Sequence, residues 1–231
     1  MSRTPRQLTL DWPHPTSFAP EDFLAAPSNR EALAAIERWP DWAGPMLLLV
    51  GPEGSGKSHL GALWAAKAGA TRIEAARLSD ADVAAAAASP AIVIEDVDEV
   101  GDEEARLFHI VNAALQGPRF ALLTARAAPD AWGLRTPDLL SRLRLAPLVR
   151  IGAPDLALVR AVLMKLFADR QLVVEPKVIA YIALRIERSL AAARAVVAAL
   201  DREALAQGRR VTRAMAAELL SDAPPEEEDE A

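Results

Sequence analysis

A single eight-residue loop limits the folds open to this chain. Residues 51–58 read Gly-Pro-Glu-Gly-Ser-Gly-Lys-Ser and satisfy G-x-x-x-x-G-K-[ST] at each defined position. The loop follows the apolar run 46–50 and opens a helix-forming stretch that continues to about residue 67. That strand–loop–helix context is what gives the pattern its meaning. Glycines let backbone N–H groups turn inward around phosphate oxygens, and the following helix adds the positive end of its dipole. Lys57 offsets charge on the β and γ phosphates, and Ser58 offers a hydroxyl to Mg²⁺. Glu53, Gly54, Ser55, Gly56, Lys57, Ser58 and the adjoining His59 are the candidate contacts to ADP or ATP.

A metal on the phosphates needs a carboxylate at the end of a neighbouring strand. The run Ala91-Ile92-Val93-Ile94-Glu95-Asp96 leads apolar residues directly into acids, as in a Walker B element. Glu95 precedes Asp96, an unusual order, and the residues alone leave open which serves Mg²⁺ and which polarises a water. Thr124 ends the next apolar run, 119–124, and is the candidate sensor of the γ-phosphate or attacking water.

Apolar and amphipathic stretches alternate from residue 46. Strands are expected over 46–50, 71–74, 91–95, 119–124 and 148–151, with helices over 57–67, 78–88 and 102–115 between them. Leu33, Ile36 and Trp39 mark an earlier helix over 30–39, with Ser28 or Asn29 as its N-cap, and Pro137 suits the first turn of another through Ser141 and Leu143. This order predicts an α/β fold, a mostly parallel sheet flanked by helices. After Pro154 three helical stretches follow, 155–169, 176–186 and 190–207, which predict a smaller all-helical domain. The expected divisions are an extended arm over 1–17, the α/β domain over 18–153, the helical domain over 154–220 and a disordered acidic tail over 221–231.

The chain has no cysteine, which excludes disulfides, thiolate metal sites and cysteine nucleophiles. Its three histidines are too scattered for a zinc site. The formal charge of −6 comes mainly from five acids at 226–230; without them 27 acidic residues face 26 basic ones. No stretch has the basic stripe of a dedicated DNA-binding module. No signal segment or membrane-length apolar run is visible, so a cytoplasmic protein is expected.

With these motifs in series the chain resembles the AAA+ ATPases, whose P-loop sheet is followed by a helical lid, and within them the DnaA-related group. The resemblance covers about residues 18–220. Phe18, Asp22, Phe23 and Asn29 match the short motif preceding the AAA+ core in that group, and the resemblance implies that Phe23 and Leu24 line the adenine pocket. Leu139-Leu140-Ser141-Arg142-Leu143 looks like the segment carrying the group's arginine finger, making Arg142 the candidate and Arg144 its nearest competitor. Residues 188–202 resemble the sensor 2 helix, which implies that Arg194 lies over the phosphates, with Arg188 as the alternative.

No counterpart of DnaA's DNA-reading helix-turn-helix domain is expected after the lid. At the N-terminus Gln7-Leu8-Thr9-Leu10 looks like the peptide by which bacterial proteins bind the DNA polymerase sliding clamp, with Asp11 where many such peptides carry an aromatic. An arm of this kind offers Gln7 for hydrogen bonds and Leu8 and Leu10 as apolar anchors. The combination resembles the Hda family, DnaA-homologous regulators of replication initiation. The resemblance implies a negative regulator that docks on the clamp, contacts DnaA and stimulates hydrolysis of DnaA-bound ATP through Arg142. DNA is then reached only through the clamp, the chain's own hydrolysis is weak, no membrane is involved, and a homodimer is possible. The rival readings are an autonomous AAA+ ATPase or loader and a non-catalytic DnaA adaptor.

Overall fold

The structure, a computed structural model, describes Ala19 and residues 22–221. Phe18, the clamp-like residues Gln7, Leu8 and Leu10, and the acidic run 226–230 lie outside the described residues. The chain divides into two compact units, one ending at Ala153 and the other beginning at Pro154.

In the first unit β1 (Met46–Val50), β2 (Thr71–Glu74), β3 (Ala91–Glu95), β4 (Phe120–Ala125) and β5 (Leu148–Arg150) form one parallel sheet in the order β2-β3-β4-β1-β5. The helices are α1 (Arg30–Glu37), α2 (Lys57–Ala68), α3 (Asp80–Ala88), α4 (Glu104–Gln116) and α5 (Pro137–Leu143). Every residue of β1 is buried, because helices cover both faces of a parallel sheet.

The two-residue period of the strands sorts their side chains between two cores. Met46, Leu48, Val50, Ile92, Ile94, Ala121 and Leu123 pack with Leu107, Ile110 and Val111 of α4 and Leu139 of α5. Leu47, Leu49, Val93 and Leu122 pack on the opposite face with Ala32 and Ile36 of α1 and Leu60 and Trp64 of α2. Trp64 is fully buried and stacks on Trp42 at 5.1 Å, with Trp39 edge-on at 6.1 Å. Truncating a core tryptophan costs about 3–5 kcal/mol.

Asn29 is the N-cap of α1 by position, yet its side chain does not cap the helix. The amide turns back instead, donating to Leu24 O at 3.0 Å and accepting from Ala26 N–H at 2.8 Å. A buried Asn completes its hydrogen bonds inside its own turn, so residues 24–29 form a closed loop.

The second unit is all-helical: α6 (Leu156–Asp169), α7 (Pro176–Ala183), α8 (Leu190–Gln207) and α9 (Arg213–Ser221). Leu163, Phe167, Ile182, Val197 and Leu200 form its core. Asp155 and Ser189 cap α6 and α8 by accepting from Leu158 N–H at 2.7 Å and Ala192 N–H at 3.0 Å. The helical spacing of the sequence marks only three of these helices. α9 is nine residues long, and Thr212 helps to start it by accepting from Met215 N–H at 3.3 Å.

Candidate functional site

β1 lies between β4 and β5, so the loop leaving its C-terminal end emerges flanked by the ends of both strands. Gly51 begins that loop against the strand beside it. A Cβ there would meet Ile151 O at 2.4 Å, so no other residue fits without moving backbone. Gly54 and Gly56 hold φ of 65° and 105°, which L side chains rarely adopt. Lys57 is then the first residue of α2, and its ammonium donates to Gly51 O at 2.7 Å and Pro52 O at 2.9 Å. Burial pushes the Lys57 ammonium below its ordinary value, with Asp96 the first of the charges opposing that shift. Ser55 is buried, its Oγ without a protein partner, while Ser58 is half-buried and Glu53 exposed.

The acids at the end of β3 part company. The Glu95 carboxylate is ion-paired with Arg72 on β2, accepting from its Nε at 2.9 Å and from a second guanidinium nitrogen. Asp96 turns the other way because its backbone adopts φ 51° and ψ 53°, the left-handed region. That turn is pinned by Thr124, whose fully buried Oγ1 accepts the Asp96 N–H at 3.0 Å. Since β4 lies between β1 and β3, Thr124 stands between the phosphate loop and Asp96. Burial pushes the Asp96 carboxyl above its usual range; Lys57 opposes the shift, and Glu99, Glu95 and Asp98 add to it. Lys57 and Asp96 are thus coupled by charge, Thr124 is joined to Asp96 by a hydrogen bond, and Glu95 is engaged by Arg72.

Sequence reasoning missed Arg126, two residues beyond Thr124. Its Nε donates to Asp98 at 2.9 Å, a second nitrogen reaches Glu99 at 2.7 Å, and its charge is felt at Lys57. The available signal was a cation just past the strand adjoining the phosphate-loop strand.

The 22–29 loop is tied to the same end of the sheet. Gly152 N–H donates to Ser28 O at 2.8 Å, and Ile151 N–H donates to Val50 O at 2.7 Å. Phe23 meets the His59 ring edge-on at 5.3 Å, and a His59 ring nitrogen lies 3.2 Å from Ala19 O. Phe23 and His59 therefore meet beside the start of α2, and Leu24 follows Phe23 in the chain, its carbonyl held by Asn29.

The two candidate finger arginines have different surroundings. Arg144 is ion-paired with Asp130, its Nε at 3.1 Å. Arg142, half-buried on α5, has no carboxylate partner among the described residues; its guanidinium carbon lies 4.9 Å over the Phe108 ring of α4. Arg194 is on α8 of the helical unit, where burial pushes its guanidinium below the ordinary value and no carboxylate among the described residues pairs with it. Arg188 is exposed.

Solved structures share this architecture. Domain III of the Thermotoga maritima replication initiation protein DnaA matches with a TM-score of 0.78 at 17% identity, covering 95% of this chain and 98% of that one. AMPPCP-bound DnaA from Aquifex aeolicus matches with a TM-score of 0.63 at 20% identity over 80% of this chain; the match spans 65% of that one, just under two thirds of its length. A Thermotoga maritima RuvB variant matches with a TM-score of 0.66 at 15% identity, over 84% of this chain and 67% of that one. No family model and no curated protein matches. The sheet order, the phosphate loop and the helical unit define the AAA+ fold, and within it the likeness extends to domain III of DnaA.

Proposed function

We propose that this chain is an Hda-like regulator of replication initiation. It docks on the sliding clamp through Gln7, Leu8 and Leu10 and delivers Arg142 to ATP bound by a DnaA partner. The observation that carries the reading is the contrast between the two arginines: Arg144 is neutralised by Asp130, whereas Arg142 has no carboxylate partner among the described residues and rests on an aromatic ring. A guanidinium can neutralise charge on the transferring γ-phosphoryl, and one supplied in trans contributes ~10³–10⁵ in rate. The chain's own ADP or ATP sits at Lys57, with Phe23, Leu24 and His59 on the base side; Arg194 is the candidate sensor 2 arginine. Mg²⁺ takes one or two protein oxygens and completes its shell from phosphates and water. The Ser58 hydroxyl and the Asp96 carboxylate fit that demand, and Glu95, held by Arg72, does not. When bound, the metal neutralises phosphate charge.

The test is hydrolysis of DnaA-bound ATP with and without DNA-loaded clamp. Stimulation should require the clamp and vanish in Arg142→Ala and in a chain lacking residues 1–11. Stimulation intact in Arg142→Ala would sink the reading. A second reading, an autonomous ATPase, is favoured by the grouping of Lys57, Thr124 and Asp96; it requires substantial turnover with neither DnaA nor clamp.

A further inference from the structure

Glu104 is the one carboxylate buried to 6% exposure or less among the described residues, and nothing in the nucleotide site uses it. It opens α4, and its two oxygens divide between neighbouring backbone groups: Oε1 accepts the Arg135 N–H and Oε2 the Thr136 N–H, each at 2.9 Å. Thr136 is the N-cap of α5 and makes no side-chain cap of its own, while Pro137, the next residue, has no N–H. In a capping box an acid three residues into a helix reaches back to the N-cap N–H. Here that acid comes from another helix and holds the residue before the cap as well.

The acid is suited to the task. Burial pushes its carboxyl up, but hydrogen bonds from the Arg135 N–H and from the Thr136 side chain and N–H, with the Arg135 charge, together outweigh burial and hold it below the usual range, so it is an ionised, two-handed acceptor at neutral pH. One helical turn further along α4, Phe108 carries the Arg142 guanidinium. α4 therefore grips the seven-residue α5 at its start through Glu104 and near its end through Phe108.

We propose that Glu104 is a positioning residue for Arg142: its carboxylate fixes the residues that begin α5 and so sets where the guanidinium is presented. This rests on the arginine-finger reading above. A misplacement of about 1 Å costs on the order of 10²-fold in a reaction that depends on positioning.

The experiment is the clamp-dependent DnaA–ATP hydrolysis assay with Glu104→Ala, Glu104→Gln, Arg142→Ala and the Glu104→Gln/Arg142→Ala double variant, alongside ADP binding and hydrogen exchange. Glu104→Ala should lower the stimulated rate at saturating chain by ~10–100-fold. The chain concentration for half-maximal stimulation and the ADP affinity should hold within about twofold, a change of roughly 0.4 kcal/mol. Glu104→Gln keeps the volume and one acceptor oxygen, so it should fold and show a smaller loss. The amides of Arg135 and Thr136 should lose exchange protection, and the double variant should be no worse than Arg142→Ala. If Arg142→Ala abolishes stimulation but Glu104→Gln and Glu104→Ala keep the full rate, the positioning role is wrong and the finger stands. A loss in which ADP affinity falls or the half-maximal concentration rises in step marks a general structural role and also overturns it. If Arg142→Ala has no effect, the finger reading fails and this role goes with it.

Discussion

At the scale of single residues, partner geometry separates side chains that composition treats alike. Arg142 and Arg144 lie two positions apart, but only Arg144 is in an ion pair, and that pair is exposed. Exposed pairs are worth about 0–1 kcal/mol, so Arg144→Ala should leave thermal stability and partner stimulation nearly unchanged, while Arg142→Ala removes the stimulation. Arg142→Lys keeps the charge without the planar fork and should recover little of the rate. Phe108→Leu keeps apolar bulk but removes the ring, a loss of about 0.5–1 kcal/mol of guanidinium stacking; a reduced stimulated rate with the melting temperature lowered by only about 1–4 °C is the expected result. Asp96 gives a pH signature. Its folded pKa lies above its unfolded value near 3.8, so the fold holds the proton more tightly than the unfolded chain does. The resulting cost to stability is fully present above the folded pKa and gone below the unfolded one. Asp96→Asn should raise the melting temperature at neutral pH, and that gain should shrink as the solution is acidified toward 3.8. A gain that persists unchanged into acid would contradict the assignment.

At the scale of elements, the join between β3 and β4 is the most exposed to a single change. Thr124→Val preserves shape but leaves the Asp96 N–H without its acceptor. Leaving a buried donor unsatisfied costs about 1–3 kcal/mol, and this half-buried one belongs at the low end of that range. Chemical denaturation should show a loss of that size, with the left-handed turn at Asp96 loosened and any intrinsic hydrolysis reduced. This join also marks where reading the sequence runs out. The strands were legible because β1, β3 and β4 are short apolar runs buried on both faces, bounded by turn residues or acids and too short for a buried helix. The phosphate loop was legible because its glycines answer local backbone demands. The choice between Glu95 and Asp96 was not, since it depends on one left-handed residue and on Arg72, 23 positions away. Glu104 was hidden for the same reason: its partners lie 31 and 32 residues further on. α9 escaped because nine residues with two buried side chains give too weak a period to stand out.

At the scale of the whole molecule, each unit has its own core, and the phosphate loop keeps its shape only in the folded chain. ADP binding should therefore appear as a stability linkage. A ligand at 100 times its dissociation constant stabilises the folded form by ~2.7 kcal/mol, provided it binds only that form. ADP should raise the melting temperature of the intact chain, and Lys57→Ala should remove the shift by deleting the buried ammonium at the phosphate loop. Arg194→Ala is the sharper test. If its guanidinium, unpaired with any described carboxylate, serves the phosphates, the variant should keep the ligand-free melting temperature and lose part of the ADP-induced rise. It should lose less of the rise obtained with adenosine, which carries no phosphate. A full ADP shift in Arg194→Ala would remove Arg194 as the sensor 2 candidate.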